Sequence, residues 1–240
     1  MEIFSVLFGK VLGFIYDLIP NYGITIILFT ILTKILLFPL TYKQLKMSKE
    51  MAVIQPKMKA VQEKYKNDKE MMNRKMLELY KEHNYNPFSG CLPSIVNLIL
   101  IIGLFGVLRE PGKYVFATQE LLEQATHQPF LWIPNLSLPD LMSNLIPTGP
   151  EFLTKIPGLL PIVSAVLTYF SMQMTPMPAQ QEGQKQPNMM AVLKFLMPGM
   201  ILLYGTGFSA GLVLYWTTST LLQIVQQYFM NRMNKAEEMN

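Results

Sequence analysis

The sequence predicts an all-α integral membrane protein with five transmembrane helices and a cytoplasmic helical hairpin. Three observations carry that expectation. Of 240 residues, 50% are hydrophobic and only 15% are charged, whereas a soluble domain carries about 25% charged residues. Five apolar stretches are long enough to cross most of a bilayer as helices rising about 1.5 Å per residue. The basic residues are concentrated between the first two stretches, and such asymmetry sets orientation in a membrane.

Residues 1–21 open on Glu2 rather than on a basic cluster, and no small-x-small cleavage site follows, so they do not read as a signal peptide. Lys10 and Asp17 interrupt the apolar run, which predicts an extracytoplasmic interfacial helix. An uncleaved hydrophobic start is the alternative. The first span falls within 22–44, with its apolar centre at 24–41. After it come Lys43, Lys46, Lys49, Lys57, Lys59, Lys64, Lys66, Lys69, Arg74, Lys75 and Lys81. That density places the segment in the cytoplasm. Five spans then put the N-terminus outside and the C-terminus inside.

Within residues 45–84 two apolar stripes predict an antiparallel helical hairpin. Met51, Ile54, Met58, Val61 and Tyr65 recur at alternating spacings of three and four, and Met72, Met76, Leu79 and Tyr80 form the second stripe. Asn67 followed by Glu70 resembles a capping box, and Pro56 is expected to kink the first helix or to mark its real beginning. The stripes either pack only on each other or leave some of Met51, Met58, Met72 and Met76 exposed as an adaptable contact surface.

The second span is 85–108, followed by an extracytoplasmic loop, 109–155, rich in proline and glycine. In that loop Trp132 with Phe130 reads as an interfacial anchor, and Asp140 as the cap of a short helix over 141–145. The third span is 156–174. A polar cytoplasmic loop, 175–188, leads to the fourth span, 189–206, which Pro198 is expected to kink. Gly205-Thr206-Gly207 predicts a turn that makes the fourth and fifth spans a tight hairpin. The fifth span is 207–231, and 232–240 form a cytoplasmic tail.

Lys34 needs a reason, because it stands near the middle of the first apolar stretch. A charge at that depth costs several kcal/mol and normally faces a water-filled cavity or a partner. No predicted span contains Asp, Glu or His, so Lys34 acts through its charge rather than by proton exchange. The ordinary alternative is snorkelling. A lysine reaches roughly 6 Å, and on a straight helix the span ends lie roughly 10–15 Å away. A wet groove fits better. Thr30, Thr33, Ser94, Asn97, Ser164, Thr168, Gln173, Thr217, Thr218 and Gln223 supply polar groups for its lining, although any one of them alone suits an interhelical hydrogen bond. Trp216 lies well inside the fifth span, either as lipid- or core-facing bulk or as a groove wall whose N–H needs a partner.

Catalytic chemistry finds no support. There is no HExxH, no phosphate-binding loop and no Ser-His-Asp set at recognisable spacing. His83 and His127 lie far apart in sequence and Cys91 is the single cysteine. No enzyme activity, metal or cofactor is expected.

TKILLFPL, IQPKMKAVQEKYKND, NPFSGCLP, FLWIPNLSLPD, LLPIVSAVLTYF and SAGLVLYWTTSTLLQIVQQYFMNR follow one another along nearly the whole chain. In those stretches the sequence resembles the YidC/Oxa/Alb membrane-protein insertase family, in its compact bacterial form without the large outer domain. NPFSGCLP and the GLVLYW…QQ pattern are the specific ones. The resemblance implies five helices around a groove open to the cytoplasm and to lipid but closed to the outside. It implies insertion and folding of newly made membrane proteins in the plasma membrane, alone or beside the Sec translocon. By position it puts Lys34 at the groove's basic site, Trp216 on its wall, and the hairpin where substrates are received. Nascent membrane proteins and the lipid bilayer are the implied partners, with the Sec translocon and the ribosome possible; no sequence-specific nucleic-acid binding is expected. Two departures matter. The family usually has Arg where this chain has Lys34, and often Gln at the position of Met172. A small transporter or channel using Lys34 as an anion site is the competing function, but no internal repeat of the kind common in transporters is present. A structural assembly factor without a groove is the third reading.

Overall fold

The computed structural model describes residues 2–83, 85, 92–174 and 189–237. Among them the regular structure is helical, apart from two isolated β-bridges. The helices are α1 (Glu2–Leu18), α2 (Tyr22–Leu36), α3 (Phe38–Lys64), α4 (Lys69–Glu82), α5 (Leu92–Arg109), α6 (Pro111–Tyr114), α7 (Gln119–His127), α8 (Leu159–Met174), α9 (Met189–Tyr204) and α10 (Ala210–Glu237). Most of NPFSGCLP, including Cys91, and the loop 175–188 lie outside the described residues.

The main core forms where α1, α2, α5 and α10 meet. Leu12, Tyr22, Ile26, Phe29, Leu104, Val107 and Leu214 are buried there together. Phe116 closes its loop end, edge-on to the rings of Tyr16 at 5.0 Å and Tyr22 at 5.4 Å. One face of α1 packs on α5 and α2, and Ser5 donates to the Gly103 carbonyl at 3.0 Å. The opposite face, with Ile3, Leu7, Phe14 and Leu18, is exposed.

The first apolar stretch is not one straight helix. α2 ends at Leu36, α3 begins at Phe38, and the two are bent by 59°. Pro39 is the local cause, since it has no N–H and its ring clashes with the carbonyl four residues earlier, that of Ile35. The Leu37 N–H closes the end of α2 on Thr33 and Ile35. No single described helix is long and apolar enough to cross a membrane, but α2 with the first turns of α3 passes that test as a bent pair.

α3 then runs without interruption to Lys64, with Pro56 inside it rather than at its start. It packs on α4 through Ile54, Met58, Met76 and Leu79, all buried. The two stripes therefore face each other, and among the described side chains Val53, Met71 and Leu77 are large apolar groups of the hairpin that are exposed. The cap of α4 is Asp68 rather than Asn67, its carboxylate accepting from the Met71 N–H at 3.0 Å. Asp68→Ala is expected to loosen α4 by about 1 kcal/mol, read as faster hydrogen exchange of its first turn with the rest of the hairpin unchanged.

The Gly205-Thr206-Gly207 turn forms, with the Gly207 N–H on the Tyr204 carbonyl at 2.9 Å. It does not produce a packed hairpin. α9 and α10 each pack on α8 rather than on each other. Gly205 lies against Pro161 of α8, too close for any side chain at that position.

The loop between α7 and α8 also differs from expectation. In place of the expected helix over 141–145 there is a 3₁₀ turn, Met142–Asn144, and a second 3₁₀ segment, Glu151–Lys155, lies further along the loop. The Asp140 carboxylate is fully buried and accepts from the N–H of Leu160, in the first turn of α8. The Trp132 indole is not free to anchor at an interface through its N–H, because it donates to the same carboxylate at 3.2 Å.

Candidate functional site

Two joined chambers lie beside α8, in the space left because α9 and α10 do not pack on each other. The apolar one, about 220 Å³, is bounded by Phe105 of α5, Met200 and Ile201 of α9, and Leu212 and Val213 of α10. The polar one, about 160 Å³, is bounded by Thr168, Ser171 and Met172 of α8 and by Ser219, Thr220 and Gln223 of α10. Ile101, Met197 and Trp216 belong to both, so Trp216 stands at the waist.

The chemistry changes along α10. Nearer the loop, its lining residues are Leu212 and Val213; beyond Trp216 they are Ser219, Thr220 and Gln223. Helical periodicity selects these positions, since residues three and four apart share a face. Thr217 follows Trp216 by about 100° of rotation, and its hydroxyl donates to the Val213 carbonyl of its own helix at 2.7 Å. The sequence reading therefore missed Ser171, Ser219 and Thr220. Counting in helical phase from Trp216 would have found the two on α10.

On α8 the Ser164 and Thr168 hydroxyls are buried and have no hydrogen-bond partner among the described residues. Helical hydroxyls elsewhere behave differently. Thr30 donates to the Ile26 carbonyl at 2.6 Å, and Thr33 to the Thr30 carbonyl at 2.9 Å. Buried polar groups without partners are uncommon, and both of these line the chambers, Ser164 the apolar one and Thr168 the polar one. Met172 also faces the polar chamber, whereas Gln173 is exposed and accepts from Lys194 at 3.2 Å.

Lys34 is half-buried in the last turn of α2, three residues before the break at Leu37. Among the described residues it makes no hydrogen bond or ion pair. The straight-helix distances used to reject snorkelling do not survive the bend. What replaces them is a local reason for the charge: the carbonyl end of a helix favours a cation. Lys34, Thr30 and Thr33 line neither of the two chambers. The side chains of Asn97 and Met51 lie outside those described. Met58 and Met76 are buried between α3 and α4 and Met72 is half-buried, so the first two present no free contact surface.

A family model described as 60Kd inner membrane protein matches residues 14–238. The chain belongs to this family. The resemblance read from its sequence motifs is thereby borne out. A membrane protein insertase YidC from Geobacter sulfurreducens is 37% identical over 222 residues, 92% of this chain and 36% of the relative. One from Francisella philomiragia is 32% identical over 237 residues, 98% of this chain and 37% of the relative. A crystal structure titled as an active YidC insertase with its first transmembrane domain resolved superposes with a TM-score of 0.59 at 25% identity, over 90% of this chain and 43% of that one. The chain thus spans little more than a third of the curated relatives' length. As a member of the 60Kd inner membrane protein family it is a membrane protein, and the helical arrangement of its described residues resembles that of the YidC structure.

Proposed function

We propose that this protein is a membrane protein insertase that also helps newly made membrane proteins to fold. The observation that carries the reading is the pair of chambers along α8 and α10, polar on one side of Trp216 and apolar on the other. In this reading five spans, the first of them the bent α2–α3 pair, surround a groove open to the cytoplasm and to lipid. The loop 109–155 and the N-terminus lie outside, and the hairpin, rich in lysine, lies in the cytoplasm. The groove's hydroxyls and water lower the cost of carrying polar backbone into the membrane. Lys34 attracts acidic residues in the tail that must cross, and Thr30, Thr33, Asn97, Thr168, Trp216 and Thr217 form the helix faces around the path. The α3–α4 hairpin receives the substrate, with exposed Val53, Met71 and Leu77 better placed for contact than the buried methionines.

The driving force is the transfer of the substrate's apolar helix into lipid. The membrane potential adds about 2.3 kcal/mol per charge per 100 mV. No catalytic group is required. The ribosome and the Sec translocon are compatible partners, since substrates arrive during or after synthesis.

The test is insertion of a single-span substrate with a short acidic tail into vesicles containing only this protein. Protease protection of the tail is expected to rise at least severalfold over empty vesicles. Anion flux through the same vesicles without tail protection would favour a transporter and overturn the proposal.

A further inference from the structure

The insertase reading leaves Asp140 without a role. Its carboxylate is buried at 0% exposure in the loop that leads into α8. One oxygen accepts from the Leu160 N–H at 2.9 Å and the Trp132 indole N–H at 3.2 Å, the other from the Asn144 amide at 3.2 Å. The three donors come from three places: the loop before Asp140, the loop after it, and the first turn of α8. No Lys, Arg or His pairs with it among the described residues, so these three donors are what satisfy its buried oxygens. Gly158 completes the enclosure. Its N–H donates to the Asp140 carbonyl at 2.9 Å, and a Cβ at that position would stand 2.5 Å from the carboxylate.

The same stretch of loop also holds α10. The carbonyls of Leu136 and Leu138 accept from the N–H groups of Gly211 and Ala210, each at 2.8 Å. Those donors belong to the first turn of α10, and the loop supplies their acceptors. Residues 136–140 therefore grip the N-terminal ends of α8 and α10 together. These are the two helices whose opposite walls line the polar chamber.

We propose that Asp140 is a positioning residue, the brace that locks the loop ends of α8 and α10 to each other. Separation of the two helices is thereby confined to the opposite end, and the chambers stay closed on the loop side while a substrate occupies them. The proposal rests on the insertase reading for what fills the chambers, but the brace itself rests on the hydrogen bonds around Asp140.

The experiment uses a full-length chain in which Cys91→Ser removes the native thiol and Ser164→Cys places a reporter in the apolar chamber. Purified protein in vesicles is treated with a membrane-impermeant maleimide from the side that holds the loop, defined by which side a protease cuts the α3–α4 hairpin. With Asp140 present, labelling is expected to stay near the cysteine-free background. Asp140→Ala is expected to raise it about tenfold from the loop side only, and Asp140→Asn, which keeps one acceptor oxygen, about threefold. Gly158→Ala is expected to resemble Asp140→Ala, because the added Cβ displaces the carboxylate without removing it. General unfolding would instead expose the thiol from both sides, so the sidedness separates a brace from a merely stabilising contact. The proposal is overturned if Asp140→Asn or Gly158→Ala melts like the parent and leaves the thiol unreactive. It is also overturned if labelling rises equally from both sides. Insertion is measured in the same vesicles. Loop-side labelling without insertion by the parent sinks the insertase reading alone, and insertion with a thiol that stays closed sinks the brace alone.

Discussion

Lys34→Met is expected to lower insertion of a substrate with an acidic tail by roughly thirtyfold, with Lys34→Arg within about twofold of the parent. The magnitude follows from charge attraction in a partly hydrated site. At an effective dielectric constant of about 20, opposite charges about 8 Å apart gain about 2 kcal/mol, which is roughly thirtyfold in an equilibrium. Lys34→Glu is expected to lose more, because it repels the tail and also sets an anion beside the carbonyl end of α2. Neutral-tailed substrates serve as the control and are expected to change by no more than about twofold with Lys34→Met. The measurement is protease protection of matched tails in vesicles. Full activity of Lys34→Met and Lys34→Glu on acidic tails would end the charge-attraction mechanism. The Arg comparison matters because Arg stays charged almost anywhere, whereas Lys loses its proton in a poorly solvated site. Activity of Lys34→Arg well above that of the parent would show that Lys34 is incompletely charged when substrates arrive.

The largest effect on stability is expected at Gly9. A Cβ there would overlap the backbone carbonyl of Tyr114, which cannot rotate away as a side chain would. Gly9→Val should push α1 off α5 and α6 and disturb the Ser5–Gly103 hydrogen bond one turn away. Overpacking typically costs about 1–3 kcal/mol, and the upper end applies because the obstacle is main chain. One turn further on, a Cβ at Gly13 would lie 3.3 Å from the Val115 carbonyl. Gly13→Ala is therefore the milder comparison, since its neighbour has only a few tenths of an ångström to yield. Thermal unfolding of the purified protein in detergent, with proteolysis of α1 as a second reading, checks both. A melting temperature for Gly9→Val equal to that of the parent would show that α1 is not held by this close approach.

Much of the helical architecture was legible along the chain. α9 ends at Tyr204, two residues short of the limit of the fourth predicted span, 189–206, because a glycine turn that stops an apolar run is local information. The stripes Ile54–Met58 and Met76–Leu79 announced a hairpin, and they pack on each other as their 3.6-residue period requires. The lining of the two chambers was less legible. Thr168 and Trp216, which line them, stood out in the sequence because polarity and bulk are unusual in spans. Ser171, Ser219 and Thr220 escaped because a small hydroxyl on an apolar helix carries no signal until its helical phase relative to a neighbouring wall is known.

By itself, then, the sequence determined the helical class, the charge asymmetry, the hairpin and the presence of a cation within the first apolar stretch, all properties set by composition and by residues within a few turns of each other. The tertiary structure alone decided that the first stretch bends by 59° beside Lys34, that α9 and α10 pack on α8 rather than on each other, and that the loop around Asp140 meets two helix ends. The physical reason is range. Periodicity and capping act over one or two turns, whereas a packed wall, a chamber or a shared carboxylate depends on groups that the chain brings together from tens of residues apart: Asp140 with Leu160, Leu136 with Gly211, Ser5 with Gly103.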